Sequence, residues 1–212
     1  MARGAQNTQS AGLTYLNFMG GKFVQRVQEE TTGATARELK KGPNAGKMVH
    51  ELNFDTYEGQ IIDLKTEANE FGQKLNIFMD VSTAEEPDKQ VKISLSLSSG
   101  PAKGFLSRLP VIDFAKDVVL KGYNIENKET GRFNSYLVPY QDGQKLLSQF
   151  TKEAPNGLPQ MKKIKVKGQE VWDDTEQLEF YEALIAKTFS GAVTASAAPK
   201  VEAKEEETDL PF

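Results

Sequence analysis

Aromatic and basic residues share the polar face of one stretch of this 212-residue chain, in which polarity alternates with a period of two. From Lys74 to Val81 every second side chain is apolar, and Phe78 lies on the other face with Lys74 and Asn76. Core packing does not explain a ring among such polar neighbours. A ring in this setting can stack on an unpaired nucleobase while nearby cations neutralise phosphates.

Other stretches combine rings and cations in the same way. Tyr136 shares a face with Arg132, whereas Phe133 points the other way and is assigned to the core. Tyr123 shares a face with Lys121 in the preceding stretch. For each ring, the alternative is burial in the core, under an N-terminal element or against a second subunit. The candidate residues for binding a single-stranded nucleic acid are Lys22, Arg26, Lys74, Phe78, Lys121, Tyr123, Arg132, Tyr136, Lys162, Lys163 and Lys165.

Residues that could carry catalysis or hold a metal are scarce. His50 is the only histidine and there is no cysteine, so a cysteine–histidine zinc site cannot form. The turn Gly42–Met48 invites comparison with a phosphate-binding loop, but its glycine spacing is one residue short and Met48 replaces the magnesium-binding Ser or Thr. The acidic runs Glu85–Asp88 and Asp173–Asp174 fit a loop and a helix cap. The sequence therefore predicts no catalytic residue, metal or cofactor, and no enzyme.

The charge is unevenly distributed along the chain. The formal net charge is −4, but residues 195–212 hold five carboxylates and only Lys200 and Lys204. Basic residues predominate between residues 1 and 50 and in Lys162–Lys167. Local basic stripes matter more to a polyanion than the total charge does.

The elements that must position these residues are mostly strands. From Tyr57 the predicted order is three strands, a short helix over Ala102–Leu109, and two strands. This order matches an OB-fold, a five-stranded Greek-key barrel with a helix between its third and fourth strands. We expect two additional C-terminal helices, at Gly143–Gly157 and after Asp173. The predicted strands are Lys22–Gln28, Lys47–Phe54, Tyr57–Thr66, Lys74–Val81, Val91–Ser98, Val118–Ile125 and Arg132–Pro139.

The last residues form a segment that cannot fold by itself. From about Gly191 it is rich in small and then acidic residues, too poor in apolar groups to offset its ordering entropy. We therefore divide the chain into a domain of residues 1–190 and a tail of residues 191–212. The tail ends on Asp209, Leu210, Pro211 and Phe212.

This ending resembles the C-terminal tip of bacterial and bacteriophage single-stranded DNA-binding proteins, whose acidic tails close on Asp-(Ile/Leu)-Pro-Phe. A terminus without a partner and a peptide for a replication clamp are the alternatives. Clamp peptides usually begin with Gln, where this chain has Thr208 or Asp209.

The resemblance implies a non-catalytic protein that coats and protects single-stranded DNA during replication, recombination and repair. Its tip, Asp209–Phe212, would bind the enzymes of those processes. The long N-terminal extension fits phage forms better than the compact bacterial form, and the oligomeric state is left open. One alternative is a replisome or virion adaptor that does not bind DNA. The other is a metal-dependent nuclease. Without cysteine or an apolar run of about 18 residues, we expect a cytoplasmic protein, in the host cytoplasm if phage-encoded.

Overall fold

A computed structural model describes residues 12–40, 42–70, 72–166 and 169–192, and the acidic tail beyond residue 192 lies outside the described residues. The chain is mainly β, as predicted. The strands are β1 (Leu13–Met19), β2 (Lys22–Val27), β3 (Thr35–Glu38), β4 (Met48–Phe54), β5 (Thr56–Asn69), β6 (Gly72–Asp80), β7 (Gln90–Ser96), β8 (Asp117–Glu126), β9 (Phe133–Gln141), β10 (Gln144–Lys145), β11 (Lys162–Val166) and β12 (Gln169–Asp173). The helices are α1 (Gly100–Leu106) and α2 (Thr175–Ala192), and a 3-10 turn spans Leu109–Val111.

Ten of these strands form one mixed sheet in the order β10-β9-β8-β5-β6-β7-β1-β2-β4-β3. Its pairings are antiparallel except that of β1 with β7, which is parallel. Across the described part of the chain, the hydrogen-bonded order runs from one edge strand to another and does not close into a barrel. Strands β11 and β12 pair only with each other and form a separate two-stranded sheet.

The long strand β5 joins the two halves of the sheet. Its residues 56–60 pair with β8, and its residues 60–69 pair with β6. The strand changes partner at Gln60, and at the preceding Gly59 a side chain would collide with the backbone of Asp80. A register shift follows between Ile61 and Asp63. A glycine and a β-bulge both allow a strand to bend, so β5 can pair with β8 in its first part and with β6 in its second part.

The core lies on one face of the curled sheet, beneath the two helices. Strands β6 and β7 alternate as predicted, and their inward residues are almost completely excluded from solvent. The helix α1 starts at a cap in which the Ser99 hydroxyl accepts a hydrogen bond from the Ala102 amide. From α2, the apolar stripe predicted by helical spacing buries Tyr181 and Ile185 against this core. The central buried residues are Leu75, Ile77, Met79, Val91, Ile93, Leu95, Phe105, Leu106, Leu120 and Leu137.

The helix predicted within Gly143–Gly157 is wrong. Asp142 and Gly143 both have positive φ angles, of 51° and 74°, and form a tight turn between β9 and β10. An Asp-Gly pair favours this type of hairpin turn, and the helical spacing of three apolar residues did not outweigh it. The chain then runs past α1, where the Gln149 amide donates to the Ser107 carbonyl over 2.8 Å. Only one of the two expected C-terminal helices, α2, is therefore present in the described residues.

The sequence did not predict β1 or β3. Both are short. β1 pairs in parallel with the distant β7 and antiparallel with its neighbour β2, and β3 forms a hairpin with β4, which follows it in sequence. No helix in the described ranges is both long enough and apolar enough to cross a membrane.

Candidate nucleic-acid interface

A row of two rings and a lysine crosses three neighbouring strands on the outer face of the sheet. Lys92 on β7 lies opposite Phe78 on β6 and beside Tyr15 on β1 in the strand register. The Lys92 ammonium is 5.7 Å from the centre of the Phe78 ring and 6.0 Å from that of Tyr15. The Lys65 ammonium approaches Phe78 from β5, at 5.4 Å. Tyr15, Lys65, Lys74, Phe78 and Lys92 are called the sheet-face patch below.

The side chains of this patch are exposed to different degrees. Tyr15 is 52% exposed, whereas Phe78 is half-buried beneath the two ammonium groups. The prediction that Phe78 lies on the outer face with Lys74 is confirmed by the strand register and by the burial of the alternate residues. A cation over an aromatic ring is attracted to its face, so these lysines and rings hold each other in place.

Carboxylates balance part of the positive charge. Lys65 forms an ion pair with Asp63 at 2.8 Å, and Lys92 lies 3.7 Å from Glu67. Beneath them, the Asn76 amide donates to Glu67 over 3.1 Å. The Lys65–Asp63 pair is the more exposed of the two, and exposed pairs contribute only about 0–1 kcal/mol. A phosphate could therefore replace Asp63 at little energetic cost, whereas the Lys92 side chain is only 21% exposed.

A second group of rings lies on the outer face of β8 and β9. Tyr123 lies directly opposite Tyr136, and its hydroxyl is 2.8 Å from that of Tyr140. That hydrogen bond raises the pKa of the Tyr123 phenol. The Lys121 ammonium lies 4.5 Å from the centre of the Tyr140 ring. We call Lys121, Tyr123, Tyr136 and Tyr140 the tyrosine patch; its rings line a depression of about 450 Å³.

Phe133 is not in the core, which corrects the expectation from sequence. It shares a face of β9 with the fully buried Leu137, as predicted, but it is 63% exposed. The reason is position along the strand: Phe133 opens β9 opposite Glu126, the last residue of β8. Strand alternation gives the direction of a side chain but does not show where the core ends.

The exposed Phe133 ring lines a cleft of about 520 Å³ between β7, the start of α1 and the start of β9. Ser96, which lies opposite Lys74 of the sheet-face patch, lines one side of it, and Tyr136 of the tyrosine patch lines another. The cleft thus joins the two patches. Its lining also includes Phe18 and Gly20, from β1 and the turn that follows it.

The remaining candidate cations are dispersed. Lys22 lies 3.4 Å from Asp55, and Arg26 lies 4.0 Å from Glu51. Arg132 is exposed in the loop that leads to the cleft. Lys162, Lys163 and Lys165 lie on the separate sheet of β11 and β12, not on the ten-stranded sheet.

Sequence reasoning missed several residues of these surfaces. Lys92 could have been found, because it lies on the polar face of an alternating stretch. Tyr15 could not be placed, since β1 itself was not predicted and its neighbour on the sheet is 77 residues away at that register.

An ion pair between a buried carboxylate and a partly exposed guanidinium fixes the edge strand β3 to β4. Two nitrogens of the Arg37 guanidinium donate to the Glu51 carboxylate over 2.6 and 2.8 Å, and only 7% of the Glu51 side chain is exposed. The hydrogen bonds from Arg37 lower the pKa of Glu51. This pair holds β3 against β4, and Glu51 also lies 4.0 Å from Arg26.

Among the residues that the structure describes, no three histidine or carboxylate side chains gather in a way that could hold a metal ion. Comparison with protein-family models, with curated proteins and with solved structures finds no match to this chain.

Proposed function

We propose that this chain is a single-stranded DNA-binding protein that coats and protects unpaired strands during replication, recombination and repair. The observation that carries the proposal is the row Phe78–Lys92–Tyr15, in which two rings flank a cation across three adjacent strands. Sequence-tolerant binding of single strands needs aromatic faces for the bases and cations along the backbone. This row offers both on an outer face of the sheet.

In this proposal, bases stack on Tyr15 and Phe78 while Lys65 and Lys92 leave their carboxylate partners for phosphates. Each stacked base contributes about 1–3 kcal/mol. The strand then continues through the cleft, past Phe133, to the tyrosine patch. No bond is made or broken, so the protein acts as a binding protein and not as an enzyme.

We further propose that β5–β9 and α1 are an OB-fold whose seam between β7 and β9 is held open. Two features support this: the order of the elements and the pairing of β5 with both β6 and β8. The insertion of β1 beside β7 accounts for the open seam. OB-folds bind oligonucleotides on the face of their second and third strands. Here those strands would be β6 and β7, which carry Phe78 and Lys92.

The acidic tail is proposed as the recruiting segment. Its tip, Asp209, Leu210, Pro211 and Phe212, lies outside the described residues. The proposal rests on the resemblance of this ending to the tails of single-stranded DNA-binding proteins. By that resemblance, the tip binds replication, recombination and repair enzymes while the sheet holds DNA.

The test is a titration of a fluorescently labelled dT oligomer, followed by anisotropy at several salt concentrations. Tight binding to dT, much weaker binding to a duplex of the same length, and a logarithmic salt slope of about −0.7 per phosphate contact are expected. An rU oligomer in the same series measures the preference for DNA over RNA. Equal affinity for duplex and single strand, or no binding at all, would overturn the proposal. The second outcome would favour the adaptor hypothesis.

A further inference from the structure

The hairpin of β11 and β12 forms a two-stranded sheet of its own among the described strands and is called the arm below. It has no strand partner in the ten-stranded sheet, and its side chains from 162 to 165 are exposed. An isolated two-stranded hairpin is only marginally stable in water. Its base is anchored to α2: Lys162 forms an ion pair with Glu176, and the Gln177 amide donates to the Pro159 carbonyl over 2.8 Å.

Trp172, the only tryptophan of the chain, lies on this arm and is 60% exposed. A tryptophan is the largest apolar surface that a side chain can bury, and burial is its usual state in a folded domain. In the arm its ring contacts the ammonium of Lys163, at 5.3 Å from the ring centre. Lys163 lies directly opposite Trp172 in the register, and Lys165 lies two positions along the same face.

The two faces of the arm differ in chemistry. The face with Trp172 carries Lys163, Lys165 and one carboxylate, Glu170, which lies 3.3 Å from Lys163. The other face carries Ile164 and Val171, which are each 40% exposed. The first face has the ring and the cations of a single-strand binding surface, with one exposed ion pair that a phosphate could replace.

The base of the arm is linked to the helix that begins at the cleft. Its last residues lead into α2 at Asp174, whose carboxylate binds the Lys103 ammonium of α1 at 2.5 Å. Gly100 and Pro101, one turn earlier in α1, line the cleft. One turn of helix is about 5.4 Å long. Through Asp174 and Lys103, the base of the arm is therefore connected to the helix whose first residues line the cleft.

We propose that Trp172 is a base-stacking residue and that the arm is a second contact for single-stranded DNA, with Lys163 and Lys165 binding the adjacent phosphates. This inference rests on the proposed function, because it extends the same DNA path from the cleft onto the arm. The arm adds a base-stacking surface that is separate from the sheet-face patch.

The experiment uses the full chain and a dT oligomer. Because Trp172 is the only tryptophan, its emission reports the arm alone. Titration is expected to quench this emission in parallel with the anisotropy of labelled DNA, and bound DNA should shield the ring from acrylamide. Trp172→Leu should weaken dT binding by roughly 5- to 150-fold, which corresponds to about 1–3 kcal/mol. Trp172→Phe should retain most of the affinity.

The matched control is Val171→Thr on the opposite face of the arm, which should bind dT as the wild-type chain does. Three results would overturn the inference: binding without change in emission or shielding, wild-type affinity in Trp172→Leu, or an equal loss in Val171→Thr. In each of these cases the wild-type chain still binds dT, so the proposed function stands. If the wild-type chain fails to bind dT at all, the proposed function itself fails.

Discussion

Gly21 and Gly122 lie backbone against backbone, and neither position has room for a side chain. A Cβ on Gly122 would overlap the Gly21 carbonyl, and a Cβ on Gly21 would lie 2.5 Å from the carbonyl carbon of Tyr123. This contact brings the β1–β2 turn onto β8, although no strand pairing joins them. The Gly122 amide donates to the Asp55 carbonyl over 2.9 Å at the same place. The curl of the sheet, and with it one wall of the cleft, therefore depends on two glycines.

Gly122→Ala is expected to destabilise the fold by about 1–3 kcal/mol or more, because the added methyl group has no space. Urea unfolding followed by circular dichroism measures the change. The matched control is Gly104→Ala in α1, where the nearest atom would be 3.8 Å away. This control should be neutral or stabilising by up to about 1 kcal/mol, since alanine favours a helix. Equal stability of the two variants would contradict the close contact.

Phe78→Leu should weaken dT binding by roughly 5- to 150-fold while the domain remains folded. Leucine keeps most of the apolar volume of this half-buried position but removes the aromatic face on which a base would stack. Phe78→Tyr retains the ring and should bind almost as the wild-type chain does. Anisotropy titrations compare the three chains. If the leucine variant unfolds, or binds dT with full affinity, Phe78 is a packing residue and not a stacking residue.

Lys65→Gln and Lys92→Gln should each reduce the steepness of the salt dependence of dT binding. Each substitution removes one cation beside Phe78, and each lost phosphate contact lowers the logarithmic slope by about 0.7. Lys116→Gln is the control, since that lysine pairs with Asp142, outside both patches and the cleft. Its slope should equal that of the wild-type chain. An unchanged slope in both test variants would place the phosphates elsewhere.

Glu51→Gln should reduce stability at neutral pH by about 1 kcal/mol, the upper end of the range for exposed ion pairs, because 41% of the Arg37 side chain is exposed. The folded-state pKa of Glu51 lies below its ordinary value of 4.5. Its ionised form therefore stabilises the fold fully above about pH 4.5, and this contribution is lost as the pH falls through the lowered pKa. Urea unfolding at several pH values should show the two chains converging in acid. A constant difference would mean that the charge of Glu51 does not matter.

Replacing Leu210, Pro211 and Phe212 with serine should leave the affinity for dT unchanged, or slightly raise it, while removing the capture of replication and repair enzymes. The apolar tip has no role in the proposed DNA path, so the two activities should separate. Anisotropy measures the first, and a pull-down with the full-length and altered chains measures the second. A large loss of dT affinity would show that the tip takes part in DNA binding.

The local pattern of apolar and polar residues was sufficient to predict several secondary-structure elements of this protein. Period-two alternation was sufficient for β6 and β7 and for the outward direction of Phe78, because each strand buries one face against a single core. The helical spacing of apolar residues was sufficient to predict the buried stripe of α2.

Only the tertiary structure decided which of these residues meet. Leu13 lies beside Gln90 and Gly21 lies against Gly122, and no local signal encodes pairs so far apart in sequence. Phe133 shows the same limit, since alternation gave its direction but the end of β8 set its exposure. The row Phe78–Lys92–Tyr15 exists because β1, from a distant part of the chain, pairs beside the consecutive strands β6 and β7. Such contacts form only when the core closes and the loop entropy between them is overcome.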